Sequence, residues 1–260
     1  VRPLLKAPRI AWPTLALWLS LSGVWLASIL LAIGDTAPLV ACAAVSTLCA
    51  FWMFTPIHEA SHNLIARSQR INLFVGHAGA VVLMCPFLAF RFAHLAHHRH
   101  TNDPHKDPDY YSGHGPTWLL PLRWLSIDVH YYRWMQDQKE GGAVFMLSLG
   151  AIGLALTAAG FGMDVLFCWL LPARLAMGLI AFSFSYYPHA PHEVTSKEDR
   201  FRASNVLLYP GLKIALLYQN YHLIHHLYPG VPFYRYARIF NAKREELRER
   251  GAAVYPAHKR

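Results

Sequence analysis

The chain has 260 residues, of which 54% are hydrophobic and only 15% charged, with a formal net charge of +9. A soluble domain usually carries about a quarter charged residues, so this composition argues against one and points to a lipid bilayer. The positive balance needs no nucleic acid, because basic loops facing anionic headgroups account for it.

In chain order, residues 11–33 and 37–57 are free of charge and flank the break Gly34-Asp35-Thr36. Each is long enough to cross a hydrocarbon core of ~30 Å as a helix. Residues 143–161 and 165–187 form a second such pair around Gly162-Met163-Asp164, with Arg174 inside the latter run. Two helical hairpins are therefore expected. The first run follows basic residues as a signal peptide would, but it is too long for one and is read as a mature span.

Residues 73–90 are apolar too, yet contain His77 and lead into Pro86 and Arg91. A full crossing there would set the later histidines on the opposite side from the earlier ones. The segment is therefore expected to be a re-entrant or interfacial helical pair. Arg2, Lys6 and Arg9 precede the first span, the hairpin turns hold only Asp35 and Asp164, and the remaining basic residues except Arg174 fall in residues 58–142 or after 188. By the positive-inside rule that side, with both termini, is cytoplasmic.

The expected fold is all-α: one integral membrane domain over residues 1–260, with four spans and a cytosolic helical cap from 58–142 and 188–260. The stretch 234–250 reads as one cytosolic helix. Cys42, Cys49, Cys85 and Cys168 lie in apolar runs without C-x-x-C spacing, and are expected to be packing residues.

Sixteen histidines are present. "HEASH" gives His58 and His62, "HLAHH" gives His94, His97 and His98, and "HLIHH" gives His222, His225 and His226. Residues i, i+3 and i+4 share a helix face, so each triplet can aim its imidazoles at one point. Each group also sits beside a hydrophobic segment on the same predicted side. Isolated histidines such as His77, His105, His114, His130 and His258 are expected to be surface or packed residues, and His100 points to another face. Alone, "HEASH" fits a zinc protease helix with Glu59 polarising water, but that reading leaves two groups unexplained. Histidines that carry metal ions in transport are a third reading, although transport sites line spans near the midplane. Eight imidazoles exceed the needs of one zinc and suit two metals with open positions, as redox iron requires.

In this order, and interleaved with two hairpins, the three boxes resemble those of the membrane fatty acid desaturase and hydroxylase superfamily, from the first span to about Ala237. The resemblance implies an oxidoreductase with two iron ions, dioxygen as co-substrate and a hydrophobic acyl or carotenoid substrate. It implies a separate electron donor such as ferredoxin or a small haem protein. On the likeness to bacterial carotenoid ring oxygenases, the membrane would be a bacterial inner membrane. The iron ligands would be His58, His62, His94, His97, His98, His222, His225 and His226. A further ligand is expected from "YYPHAPHE"; His189 is favoured because it resembles the Leu-Pro-His of the family's carotenoid ketolases and hydroxylases, with His192 in reserve.

Metal-bound imidazoles commonly donate their other N–H to a carboxylate, which makes Asp107 and Asp109 of "TNDPHKDPDYY" candidate supports. Glu59 is a further candidate, as is Asn220, which would also serve as a helix cap. "EDRFRASN" resembles the family's Asp-Arg segment and adds Asp199 and Arg200. The expected activity is desaturation of a fatty acyl chain, with carotenoid ring hydroxylation or ketolation as the alternative. No substrate contact is singled out.

Overall fold

The computed structural model describes residues 2–137 and 142–256. His258 and residues 138–141 lie outside them. The described residues are mostly helical, with one pair of two-residue strands among them. Helix α1 (Trp12–Ile33) starts with Pro13 in its first turn, where the missing N–H costs nothing. Helix α2 (Leu39–Ser61) runs four residues beyond the expected end of its span, despite Pro56 inside it, and so carries His58 on its last turn. It is the central element: most of α2 is buried, whereas α1 and the stretch Ala143–Tyr186 are largely exposed. What they expose is apolar, with Leu30 68%, Leu147 73% and Leu154 74% open. Such surface belongs against lipid.

Helices α3 (Gln69–Leu83) and α4 (Phe87–His100) form the expected helical pair, bent by 100° at a short break. Met84 takes a left-handed conformation (φ +51°) and Pro86 precedes α4. A Cβ on Gly76 would lie 2.4 Å from the Phe87 ring, so only glycine lets α3 pass over this fully buried residue.

A short 3₁₀ turn (Pro108–Ser112) and helices α5 (Leu120–Leu125) and α6 (Ile127–Asp137) follow. Helix α7 (Ala143–Leu156) ends near Gly160 (φ +98°), two residues ahead of the expected turn. The chain doubles back there through α8 (Gly162–Val165), so that Leu149, Val165 and Trp169 pack together. Helix α9 (Leu171–Ile180) continues after a π-helical turn (Leu166–Leu170) and leads into another (Ala181–Tyr186). Arg174 of α9 makes a two-pronged ion pair with Asp128 of α6, both contacts 2.7 Å.

The remaining elements are β1 (Val206–Leu207), α10 (Leu212–Ala215), α11 (His222–Leu227), α12 (Tyr236–Ala242), α13 (Arg244–Glu249) and β2 (Val254–Tyr255). The expected single helix over 234–250 is thus two, separated at Lys243 (φ −116°, ψ 13°), and the change of direction buries Leu247 among Ile239 and Phe240. Strand β2 pairs in parallel with β1. The N-terminal arm joins this layer, since the Arg235 guanidinium donates to the carbonyls of Leu4 and Lys6. All four cysteines are free, and three are buried in packed apolar surroundings.

Candidate metal centre

Three separate segments deliver the boxes to one place. Helix α2 brings His58, with His62 just past its end; the turned α4 brings His94, His97 and His98; α11 brings His222, His225 and His226. Two imidazole clusters result. His58, His62, His94, His98 and His225 form one, and His97, His189, His222 and His226 form the other, with the ligand atoms in each lying within 4.8 Å of one another. These are the nine histidines singled out in the sequence. His98 joins the clusters, its Nε2 lying 2.7 Å from that of His225 and its ring stacking on His226 at 4.3 Å.

The donor set fits a metal. In the first cluster the Nε2 of His225 faces those of both His58 (2.9 Å) and His98 (2.7 Å), and the Nε2 of His94 faces both His62 (2.8 Å) and His98 (3.1 Å). One ring proton cannot satisfy several converging lone pairs, whereas a cation can. The buried Nε2 of His189 has no hydrogen-bond partner and belongs to the second cluster. A buried nitrogen without a partner is costly unless a ligand takes it up.

Several rings are held from behind, with Nδ1 engaged and Nε2 left for the centre. His97 Nδ1 lies 2.8 Å from Asp107 Oδ1, which also accepts from the Asp109 amide, while Asp107 Oδ2 accepts from the Asn102 amide at 2.7 Å. His189 Nδ1 lies 3.1 Å from the Ala203 carbonyl, which also accepts from the Asn102 side chain. His225 Nδ1 meets the Tyr236 hydroxyl at 3.0 Å, and His226 Nδ1 meets Thr101 Oγ1 at 3.4 Å. Burial lowers His222 to about 3 and holds His189, His225 and His226 well below the ordinary imidazole value, with neighbouring histidines adding to the effect. Neutral imidazole is the form that binds metal.

The other residues picked from the sequence fall in varied places. Asp109 accepts from the Tyr131 hydroxyl and stands 3.9 Å from His97. His192 is buried but outside both clusters; its ring touches Gly113, stacks on Tyr186, and burial lowers it to about 4. Glu59 is fully buried with its two oxygens taken by the Thr14 hydroxyl and the Phe233 amide, so it clamps α1 and the third-box segment to α2. Asp199 accepts from the Phe201 amide in a local turn, Arg200 donates to the Leu227 carbonyl, and Asn220 donates to the Leu207 carbonyl. No contact from these three to a clustered histidine is seen among the described residues.

Sequence reasoning missed Tyr236, Thr101, Asn102, Tyr131 and the Ala203 carbonyl. Thr101 had a signal, standing four residues beyond His97 on the same face. A backbone carbonyl has none.

Beside the clusters lies a narrow cavity of about 40 Å³. Its walls are mainly apolar, from Phe54, Ile57, Leu83, Phe90, Met177, Ile180 and Phe184, and His58, His94, His97 and His222 line it together with Asp109, Tyr131 and Ser185.

A helical, membrane-type chain with histidine clusters able to hold metal is thus defined by fold and site together. It belongs to the fatty acid desaturase family, whose model matches residues 35–257. It is 23% identical to an sn-1 oleoyl-lipid 12-desaturase of Picosynechococcus sp., over 79% of this chain and 73% of that protein. It is 30% identical to a beta-carotene ketolase of Paracoccus sp. (strain PC1), over 76% and 78%. A zeaxanthin 4-ketolase of Chlamydomonas reinhardtii is 24% identical over 95% of this chain and 54% of its own length. Desaturases and ketolases are oxidoreductases, which supports an oxidoreductase here, and the family and the apolar helices support an integral membrane protein.

Proposed function

We propose that this protein is a dioxygen-dependent di-iron oxidoreductase that desaturates a fatty acyl chain. The observation that carries the reading is the meeting of nine histidines from three boxes and one loop in two adjoining clusters beside a mainly apolar cavity. His58, His62, His94, His98 and His225 would hold one iron, and His97, His189, His222 and His226 the other. Bound there, two irons would supply the oxidising power that no side chain has for attacking an unactivated C–H bond.

The protein's own part is to position and insulate. Phe54, Phe90, Ile180 and Phe184 exclude water and present a methylene segment to the histidines. Asp107, Tyr236 and the Ala203 carbonyl keep the rings aimed inward. Overall, CH₂–CH₂ plus dioxygen, two electrons and two protons gives CH=CH and two waters. The electrons come from a separate protein such as ferredoxin or a small haem protein.

We place four spans in two hairpins, α3–α4 as the re-entrant pair, and the boxes and both termini on the cytoplasmic face of a bacterial inner membrane, within a single domain. The narrow cavity favours a linear chain. Oxidation of a carotenoid ring is the second reading, favoured by the 30% identity to a beta-carotene ketolase. The zinc-protease reading loses its base, because both Glu59 oxygens are engaged away from the clusters.

The test is elemental analysis of protein purified under reducing conditions, with lipid and pigment profiling of an expressing host. About two irons per chain and a new alkene are expected. About one zinc, bound without need of His97 or His226, would overturn the metal assignment, and an oxygenated carotenoid would move the substrate to the second reading.

A further inference from the structure

An ionisable pair on a helix of otherwise lipid-facing character is a functional signal by default. Arg174 of α9 and Asp128 of α6 form such a pair, with side chains 47% and 33% exposed. They stand in the wall of a cavity of about 350 Å³ whose other lining residues include Leu83, Met84, Met146, Leu171 and Met177. Among the described residues lining it, these two alone are charged. Leu83 and Met177 also line the narrow cavity at the histidines, so the two spaces adjoin, with a flexible methionine between them.

The guanidinium has hydrogen-bonding capacity to spare. Its Nη1 donates to Asp128 Oδ1 and the Leu125 carbonyl (2.9 Å), and its Nη2 to Asp128 Oδ2. A guanidinium has five N–H donors, so two remain for a group in the cavity. The pair is neutral as a whole, and a phosphate or free carboxylate would bring an uncompensated charge against apolar walls. A neutral acceptor would not.

We propose that the Arg174–Asp128 pair is the subsite for the ester carbonyl of an acyl substrate, whose chain then runs past Met177 toward the histidines. This rests on the reading of the narrow cavity as the hydrocarbon site. From Arg174 to Phe184 the helical rise is about 15 Å, so carbons far from the ester, rather than those beside it, reach the histidines.

The experiment compares binding of methyl oleate and 9-octadecene, the same chain without the ester, to the full-length detergent-purified protein by competition. Wild type should prefer methyl oleate about five- to tenfold, the scale of one hydrogen bond. Arg174→Lys, which keeps the charge but not the fork, should reduce that preference. The double variant Arg174→Met/Asp128→Leu, which leaves neither charge without its partner, should abolish it while holding 9-octadecene unchanged. No preference in wild type, a preference kept in the double variant, or tighter binding of free oleate than of its ester would each overturn the proposal. Iron content and oxidation of 9-octadecene read the metal centre separately, so a failure of that reading is seen apart from this one.

Discussion

The two histidine clusters use the same side chain but are held differently. In the four-histidine cluster three rings are braced from behind, by Asp107, the Ala203 carbonyl and Thr101, and Asn102 links two of these braces. In the five-histidine cluster the brace seen among the described residues is Tyr236 on His225; each cluster also keeps one buried Nδ1 without a partner, His58 here and His222 in the other. The five-histidine cluster takes an i, i+4 pair from the end of α2 and another from α4, and the four-histidine cluster takes one from α11. What sets the four-histidine cluster apart is its loop ligand, His189, and the hydrogen-bond network around it.

The sharpest way to break this contrast is His225→Ala. His225 touches His58, His98 and, at 5.5 Å between centroids, His226. Activity should fall to background with the loss of about one metal per chain, measured by elemental analysis. Asp107→Asn should come next, lowering metal affinity or activity about 10–100-fold; Tyr236→Phe, which removes a neutral partner, should cost less. Equal effects of the two would erase the distinction between the clusters.

Acid should act on both clusters in the metal-free protein. His62 of the five-histidine cluster and His222 of the four-histidine cluster both sit at about 3 when folded, against an ordinary value near 6.5. The unfolded chain therefore binds more protons between those values. The contribution of these two groups to stability is full above pH ~6.5 and declines as pH falls toward 3, so the melting temperature should drop over that window, and bound metal should flatten the slope at first.

Glu59→Gln is a smaller perturbation. Both carboxylate oxygens face donors, so an amide NH₂ must meet one of them, and stability should fall by ~1–3 kcal/mol while activity survives. Abolished activity in a folded, metal-loaded variant would return Glu59 to a chemical role. Smallest is His100→Ala, outside both clusters, which should leave activity and metal content unchanged.

The grouping of eight of the nine histidines was legible because helical periodicity writes i, i+3, i+4 directly into the sequence, whereas His189 was chosen by its likeness to the Leu-Pro-His of carotenoid ketolases and hydroxylases. The hydrophobic runs were legible from their charge-free length, and the helical pair around Pro86 from the need to keep the histidines on one side. What escaped depends on distance in the chain or on the backbone. Asp128 pairs with Arg174 across 46 positions, and nothing local in "SIDVHYY" announces it. The turn at Gly160 was read at the polar Asp164 nearby, because hydrophobicity does not register a change of φ. Asp199 and Asn220 were chosen by likeness and type; in the fold Asp199 accepts from the Phe201 amide and the Asn220 side chain donates to the Leu207 carbonyl.

The third box closes late in synthesis. Its helix is fastened on one side by Tyr236 and on the other by the segment around Val206, which itself pairs with Val254. The first ligand leaves the ribosome nearly 200 residues before that last fastening. A chain halted before His222 would present its first two boxes with no third to complete them, so any metal these clusters take up would be acquired after translation.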